Sequence, residues 1–147
     1  MILLFNYASS FNCLKIGEGM ITGCYQMLIK KDNQIVLISN AEDLKRVFAP
    51  VDNEEEAISF ACALTHSIPL YDFDLSRKNK YLKKCIFKSH VNKVRNGYIV
   101  NLFHYNHFGC PPHQMCQFTY LVKRSGDVVM LSEEIIYEDT ENHWCVD

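Results

Sequence analysis

The chain predicts an α+β fold with a mostly antiparallel sheet, on three observations. Its second half alternates apolar and polar residues in four runs broken by tight-turn residues. Its middle holds two segments with helical spacing, each opened by an asparagine able to cap a helix. Ahead of these lies a further pair of apolar runs joined by Asp32-Asn33. The expected order is an N-terminal hairpin, two helices, then a four-stranded meander. The 147 residues suit one domain over 1–147. A chain of that size buries about 70% of the surface its unfolded form exposes, so it needs no metal or disulfide to fold.

Taken in order, residues 1–20 carry little pattern beyond a turn at Gly17-Glu18-Gly19. Cys24 to Lys31 reads as a strand and Gln34 to Ser39 as its hairpin partner. Asn40 caps a short helix with Leu44, Val47 and Phe48 on one face, and Pro50 stops it. Asn53 with Glu56 opens the second helix, whose first-turn acids suit the helix dipole. Ala57, Phe60, Ala61 and Leu64 form its inward face, with Cys62 as a flanking or core residue. His66 then suits the C-terminal end, where a cationic ring favours the dipole. Residues 67–84 read as loop with room for a short basic helix, and Tyr71 to Asp74 as a turn rather than a calcium loop.

The meander begins with a strand from Cys85 to Val94. Asn96-Gly97 is the strongest hairpin signal, because both residues tolerate positive φ. Tyr98 to Tyr105 follows, with Tyr98, Val100 and Leu102 on one face. Met115 to Arg124, the turn Ser125-Gly126-Asp127, and Val128 to Tyr137 complete the series. The acidic tail ends in Trp144-Cys145-Val146, which is expected to dock. A helix followed by a meander can be wrapped by the sheet. In layout this is similar to cystatin-like rolls, by analogy and without a family motif. Such folds serve inhibitors, binding modules and enzymes alike, so the layout assigns no activity.

Charge is nearly balanced, with a net −2, which gives no whole-molecule attraction to nucleic acid or membrane. Its distribution is uneven. Arg77 to Arg95 holds eight Lys or Arg and no acid, and Val128 to Asp147 holds six acids and no Lys or Arg. Mutual neutralisation is the plain expectation. The sharper one is an anion or nucleic-acid surface on Lys78, Lys80, Lys83, Lys84 and Lys88, with Tyr81 and Phe87 for stacking; no nucleic-acid module supports it. No apolar run is long enough to span a bilayer as a helix.

Seven cysteines, an odd number, are ambiguous between free thiols and disulfides. The apolar start lacks a basic leader region, and Ser10 to Cys13 is a poor lipoprotein cleavage site. A cytoplasmic, reduced protein is the default. An extracytoplasmic location, implied if a leader is missing or mis-started, would make disulfides the leading expectation.

The densest chemistry is His104, His107, Cys110, His113 and Cys116, each three residues apart on a hairpin connection. If the flanking strands pair about Cys110, His104 falls opposite Cys116 and His107 opposite His113. A zinc site from His107, Cys110, His113 and Cys116 is chemically adequate as Cys2His2. Against it, an unbroken strand places His104 and His107 on opposite faces, and the paired Cys-x2-Cys or His-x3–5-His spacing is missing. A cysteine enzyme centred on Cys110 would need a base such as His113 or His107, and no acid between 98 and 126 orients it. A disulfide would join Cys110 to Cys145, or to Cys24. The plainest reading makes these side chains packing residues among Phe103, Phe108, Met115 and Phe118. The functional expectation is therefore a small non-enzymatic binding or interaction protein, with a protein partner and no required cofactor. Zinc binding and thiol catalysis are the alternatives.

Overall fold

The computed structural model describes residues 2–6, 13–18, 23–73 and 78–146, and side chains are described from residue 13 onward. It is α+β with antiparallel sheets, as the sequence pattern predicts. The predicted hairpin is there, β3 (Cys24–Lys31) with β4 (Gln34–Ile38), turning through Asp32 and Asn33 at positive φ. It sits in a larger sheet. β1 (Ile2–Asn6) pairs with one edge of β3, and the short β2 (Lys15–Ile16) pairs with Tyr25 and Cys24 on the edge that β4 occupies further along. Part of the Gly17-Glu18-Gly19 turn lies outside the described residues.

The two helices start where capping chemistry dictates. α1 (Ala41–Phe48) is opened by Asn40, whose side chain accepts from the Asp43 N–H. α2 (Glu54–Leu64) is opened by Asn53, which accepts from the Glu56 N–H, while Glu56 accepts from the Asp52 N–H. Each cap is worth about 1 kcal/mol. Ala57, Phe60 and Ala61 are buried, and Leu64 packs half-buried beside them. On α1, Leu44 is buried and Val47 half-buried, but Phe48 points outward; the inward face is narrower than its spacing predicts. Lys45 crosses to Asp127, tying α1 to the far hairpin.

The second sheet runs β5 (Lys80–Tyr81), β9 (Val128–Asp139), β8 (His113–Lys123), β7 (Gly97–Asn106), β6 (Val91–Val94) in spatial order. β6 to β9 are the predicted meander. α2 lies against it, and Phe60, Ala57 and Ala61 share one core with Tyr98, Val100, Leu102, Tyr120 and Val122. Met27 and Ile38 of the first sheet join the same core. Burying a side chain such as Phe60 contributes about 1.5–3 kcal/mol. Gly126, at φ +85°, turns the β8–β9 hairpin directly over Phe60, where a Cβ would lie 2.7 Å from the ring.

Four expectations are corrected. First, residues 85–90 are not strand. The β7 edge beyond Asn101 is already taken by Ile68, which exchanges two hydrogen bonds with Phe103, and Ser89 bonds Leu70 instead. Second, residues 67–84 contribute the short strand β5 and no helix among the described residues; positions 74–77 lie outside them. Third, the tail docks as expected through the Cys145 bridge to Cys110 and through Val146, but the Trp144 side chain takes no part in it. Val146 bridges Gly109 while Trp144 stays 80% exposed. Fourth, the β6–β7 turn is not built on positive φ at Asn96 and Gly97. Val94 pairs with Gly97, so Arg95 and Asn96 make the turn and neither has positive φ. Gly97 is needed as the first residue of β7, at φ +144° with its missing Cβ 2.1 Å from the Val122 carbonyl oxygen.

Replacing Gly97 by valine therefore forces a backbone clash and a disfavoured φ together. The expected loss is ~3 kcal/mol or more, read as a lowered unfolding midpoint in urea. An unchanged midpoint would rule out this close approach of β7 to β8.

Candidate functional site

The His/Cys hairpin is assembled as predicted in register and differently in chemistry. His104 lies opposite Cys116. Pairing ends at Asn106 with Gln114, so His107 and His113 do not face each other across a ladder. Cys110 and Cys145 form a disulfide, with a second between Cys13 and Cys24. His113 is buried, and its Nε2–H donates to the Trp144 carbonyl at 2.9 Å. His107 is held near its own strand end, 3.4 Å from the Tyr105 carbonyl. Cys116 is buried on the opposite stretch of β8.

The four proposed zinc ligands are thus not brought together. The Cys110 sulfur is bonded to Cys145, and the His113 nitrogen is engaged with the tail. Among the described residues no group of three or more His, Cys, Asp or Glu is arranged to hold a metal ion. The same bond removes the Cys110 thiolate that a cysteine enzyme requires. What the hairpin does is fasten the C-terminal tail. The bridge closes a loop of sequence separation 35, which by chain-entropy reasoning is worth about 4 kcal/mol. Gly109 and Val146 exchange two hydrogen bonds beside it, and Tyr105 donates to Asp139 at the root of the tail.

The charged segments also meet. Lys78 pairs with Glu141, Lys80 with Glu138 and Lys83 with Glu134, while Lys88 pairs with Asp72. Three of the five lysines of the supposed anion surface are spent on the acidic segment, as the charge pattern predicts.

Another concavity lies elsewhere among the described residues. A cleft of about 840 Å³ opens between the residues flanking β2, α1, the C-terminal end of α2 and the inner face of β7–β9. Leu14, Leu64, Phe118, Val128 and Met130 give it apolar walls. Phe118 stacks with Tyr120 at 5.9 Å between centroids and meets the His104 ring edge-on. Lys45, paired with Asp127, and Lys123 also line it, and two further polar sets converge there. Glu18 Oε1 sits 3.0 Å from His104 Nε2 and 3.6 Å from His66 Nδ1. The hydroxyls of Ser67 and Tyr120, both buried, are 2.8 Å apart.

The hydrogen-bond inventory of these groups limits their chemistry. His104 faces the His66 carbonyl with Nδ1, at 3.1 Å, and Glu18 with Nε2, so no ring nitrogen is open to take a proton from a substrate. His66 is not a helix cap. Thr65 occupies that position, and burial pulls the His66 imidazolium down from its ordinary range, with Glu18 opposing. Its contact with Glu18 is accordingly a polar contact at neutral pH rather than an ion pair. Burial, then Glu133, pushes the Cys116 thiol up, and burial does the same to Cys62, so neither is an activated nucleophile. In the hydroxyl pair one O–H donates to the other oxygen, which leaves one hydrogen without a partner among the described residues. Sequence reasoning found His104 and missed Glu18, Ser67 and Tyr120, because nothing in their local spacing links residues this far apart in the chain.

No protein-family model matches this sequence, and no curated protein or solved structure matches the chain.

The tail anchor makes a pH prediction. Burial, then the Asp139 carboxylate, raises the Tyr105 phenol from 10.0 to about 12, and the same hydrogen bond holds Asp139 below its ordinary range. The raised phenol stabilises the fold fully below pH 10 and loses that contribution as pH climbs toward 12. The depressed carboxylate contributes above its ordinary value and is lost as acid protonates it. Tyr105→Phe is expected to cost about 1.5–3 kcal/mol at pH 7. The gap to the parent should shrink above pH 10, measured by chemical unfolding across that range; a gap that stays constant to pH 12 contradicts the assignment.

Proposed function

We propose that this chain is a non-enzymatic binding protein whose ligand occupies the cleft between the two helices and the inner face of β7–β9. One observation carries the reading. The cleft combines an apolar, aromatic wall with a buried hydroxyl pair that keeps one hydrogen without a partner among the described residues, while both His104 nitrogens are engaged and burial raises the Cys62 and Cys116 thiols. A volume of about 840 Å³ lies within the ~300–1,000 Å³ range of ligand pockets, and a few convergent polar groups on apolar walls are what orient a ligand. The favoured ligand has an apolar body and a hydrogen-bond acceptor for the Ser67–Tyr120 pair.

The test uses an anilinonaphthalene sulfonate dye as the probe. Saturable binding at one site is expected, and Met130→Trp, which fills the cleft from a partly exposed position, should weaken it at least tenfold with an unchanged unfolding midpoint. Absence of saturable binding, or binding indifferent to Met130→Trp, would discard the cleft as the site.

Two disulfides support an oxidising compartment as the place of action. No described helix is long and apolar enough to cross a membrane. Thiol counting on the unreduced, denatured protein should find Cys62, Cys85 and Cys116 free and the other four blocked. Seven reactive thiols in protein isolated under air would remove this support and return the chain to a reducing setting.

A further inference from the structure

We infer that the ligand of the cleft is an extended polypeptide segment that adds to the open edge of β9, setting an apolar side chain into the cleft and a Lys or Arg against Glu133. This rests on the binding reading above and names its ligand class. The first support is the edge itself. β9 pairs with β8 along its length, but its other side is met only at its far end, by β5 at Tyr137 and Glu138 and by the Leu82 and Lys83 N–H groups on the Ile136 carbonyl. From Val128 to Ile135 no described strand pairs with that side. An exposed strand edge is a template for another strand; proteins blunt it with charged side chains, Pro, bulges or a cover, and here Glu133, Glu134 and the irregularity at Leu131 leave the backbone of Val128 to Met130 open. Residues 128–135 contain neither Lys nor Pro, and Val129, Met130 and Leu131 are 41%, 56% and 53% exposed.

The second support is that the cleft opens onto this edge. Val128, Val129 and Met130 line it, and Met130 lies opposite Tyr120 on the cleft face. A strand added beside them donates and accepts along the backbone while alternate side chains turn into the cleft. In strand addition, the backbone supplies affinity and the pocket supplies selectivity.

The third support is charge. Glu134 and Glu138 of β9 are neutralised by Lys83 and Lys80. Glu133 shares the cleft face with Phe118, is exposed, and has no cation within ion-pair distance among the described residues. Its described side-chain partner is the Cys116 thiol. The irregularity in the ladder makes Leu131 the extra residue, so Met130 and Glu133 stand opposite Tyr120 and Phe118, two residues apart on β8. An incoming strand without a bulge therefore places its apolar and its basic residue at i and i+2.

The probe is the capped peptide Thr-Lys-Thr-Leu-Thr-Lys-Thr, symmetric about its leucine so that either strand direction is tested, beside its counterpart with Glu for both lysines. Fluorescence anisotropy of labelled peptides should show the lysine form binding at least tenfold more tightly, and Glu133→Lys should abolish or reverse that preference. Val129→Lys and Leu131→Lys, both at exposed positions, should each weaken binding tenfold without moving the unfolding midpoint. Equal binding of both peptides, or binding untouched by both edge variants, overturns strand addition. No peptide binding while the dye still fills the cleft overturns it and leaves the cleft reading intact, whereas loss of the dye site overturns that reading first. Concentration-dependent self-association abolished by Val129→Lys assigns the edge to a second copy of this chain and also overturns the inference.

Discussion

The antiparallel pairing of β7 with β8 is the constraint on which the rest of the molecule depends. It runs unbroken from Gly97 opposite Lys123 to Asn106 opposite Gln114. Because side chains alternate, that single register decides two faces at once. One face receives Tyr98, Val100, Leu102, Tyr120 and Val122 and is closed by α2. The other receives Phe103, met edge-on by Phe73, and a buried amide network in which Gln117 donates to Asn101 and Asn101 donates to Thr119. A slip by one residue would expose the first set and bury the amides against Phe60. The close approach at Gly97 stands at one end of the ladder, and the Cys110–Cys145 bridge stands beyond the other.

Tail and loop follow from the same strip. β9 and the tail just beyond it carry the acids that meet the lysines of residues 78–83, so the long connection after α2 is drawn across the sheet by charge as well as by β5 pairing. Exposed pairs of this kind contribute little individually, about 0–1 kcal/mol each. Their use is directional. They place basic residues beside acids already held in place, and they leave Glu133 without a cation among the described residues.

Much of the fold was legible in the sequence because its signals are local. Asn40 and Asn53 cap helices through bonds three residues away, Asp32-Asn33 turns a hairpin, and Ala57, Phe60 and Ala61 recur at helical spacing. What was illegible is non-local. Residues 85–90 have strand-like composition, but Ile68 competes for the same edge of β7, a fact fixed by chain path rather than by composition. Likewise Glu18, His66 and His104 meet only once both sheets are assembled. The regular spacing of His and Cys from 104 to 116 drew attention to true neighbours, His104 and Cys116, and made a Cys110–Cys145 bridge one of the alternatives, but it did not reveal that His113 serves the tail.

That outcome has a physical logic. Histidine and cysteine look reactive in a sequence because a free ring nitrogen or thiolate is reactive, and each becomes inert once its atoms are occupied. Here a disulfide consumes Cys110, a carbonyl holds His113, and a carbonyl with a carboxylate holds both sides of His104. Occupation of this kind fixes the rings and the hairpin in place, which favours a preformed surface over a reacting one. The groups left unspent are different in character: the hydrogen of a hydroxyl pair, the carboxylate of Glu133, and the backbone edge of β9. None is a nucleophile or a proton shuttle, and all three are hydrogen-bonding groups facing one cleft or its rim. Polar groups with hydrogen-bonding capacity to spare, set around an apolar hollow, are what orient a ligand whose apolar body fills it.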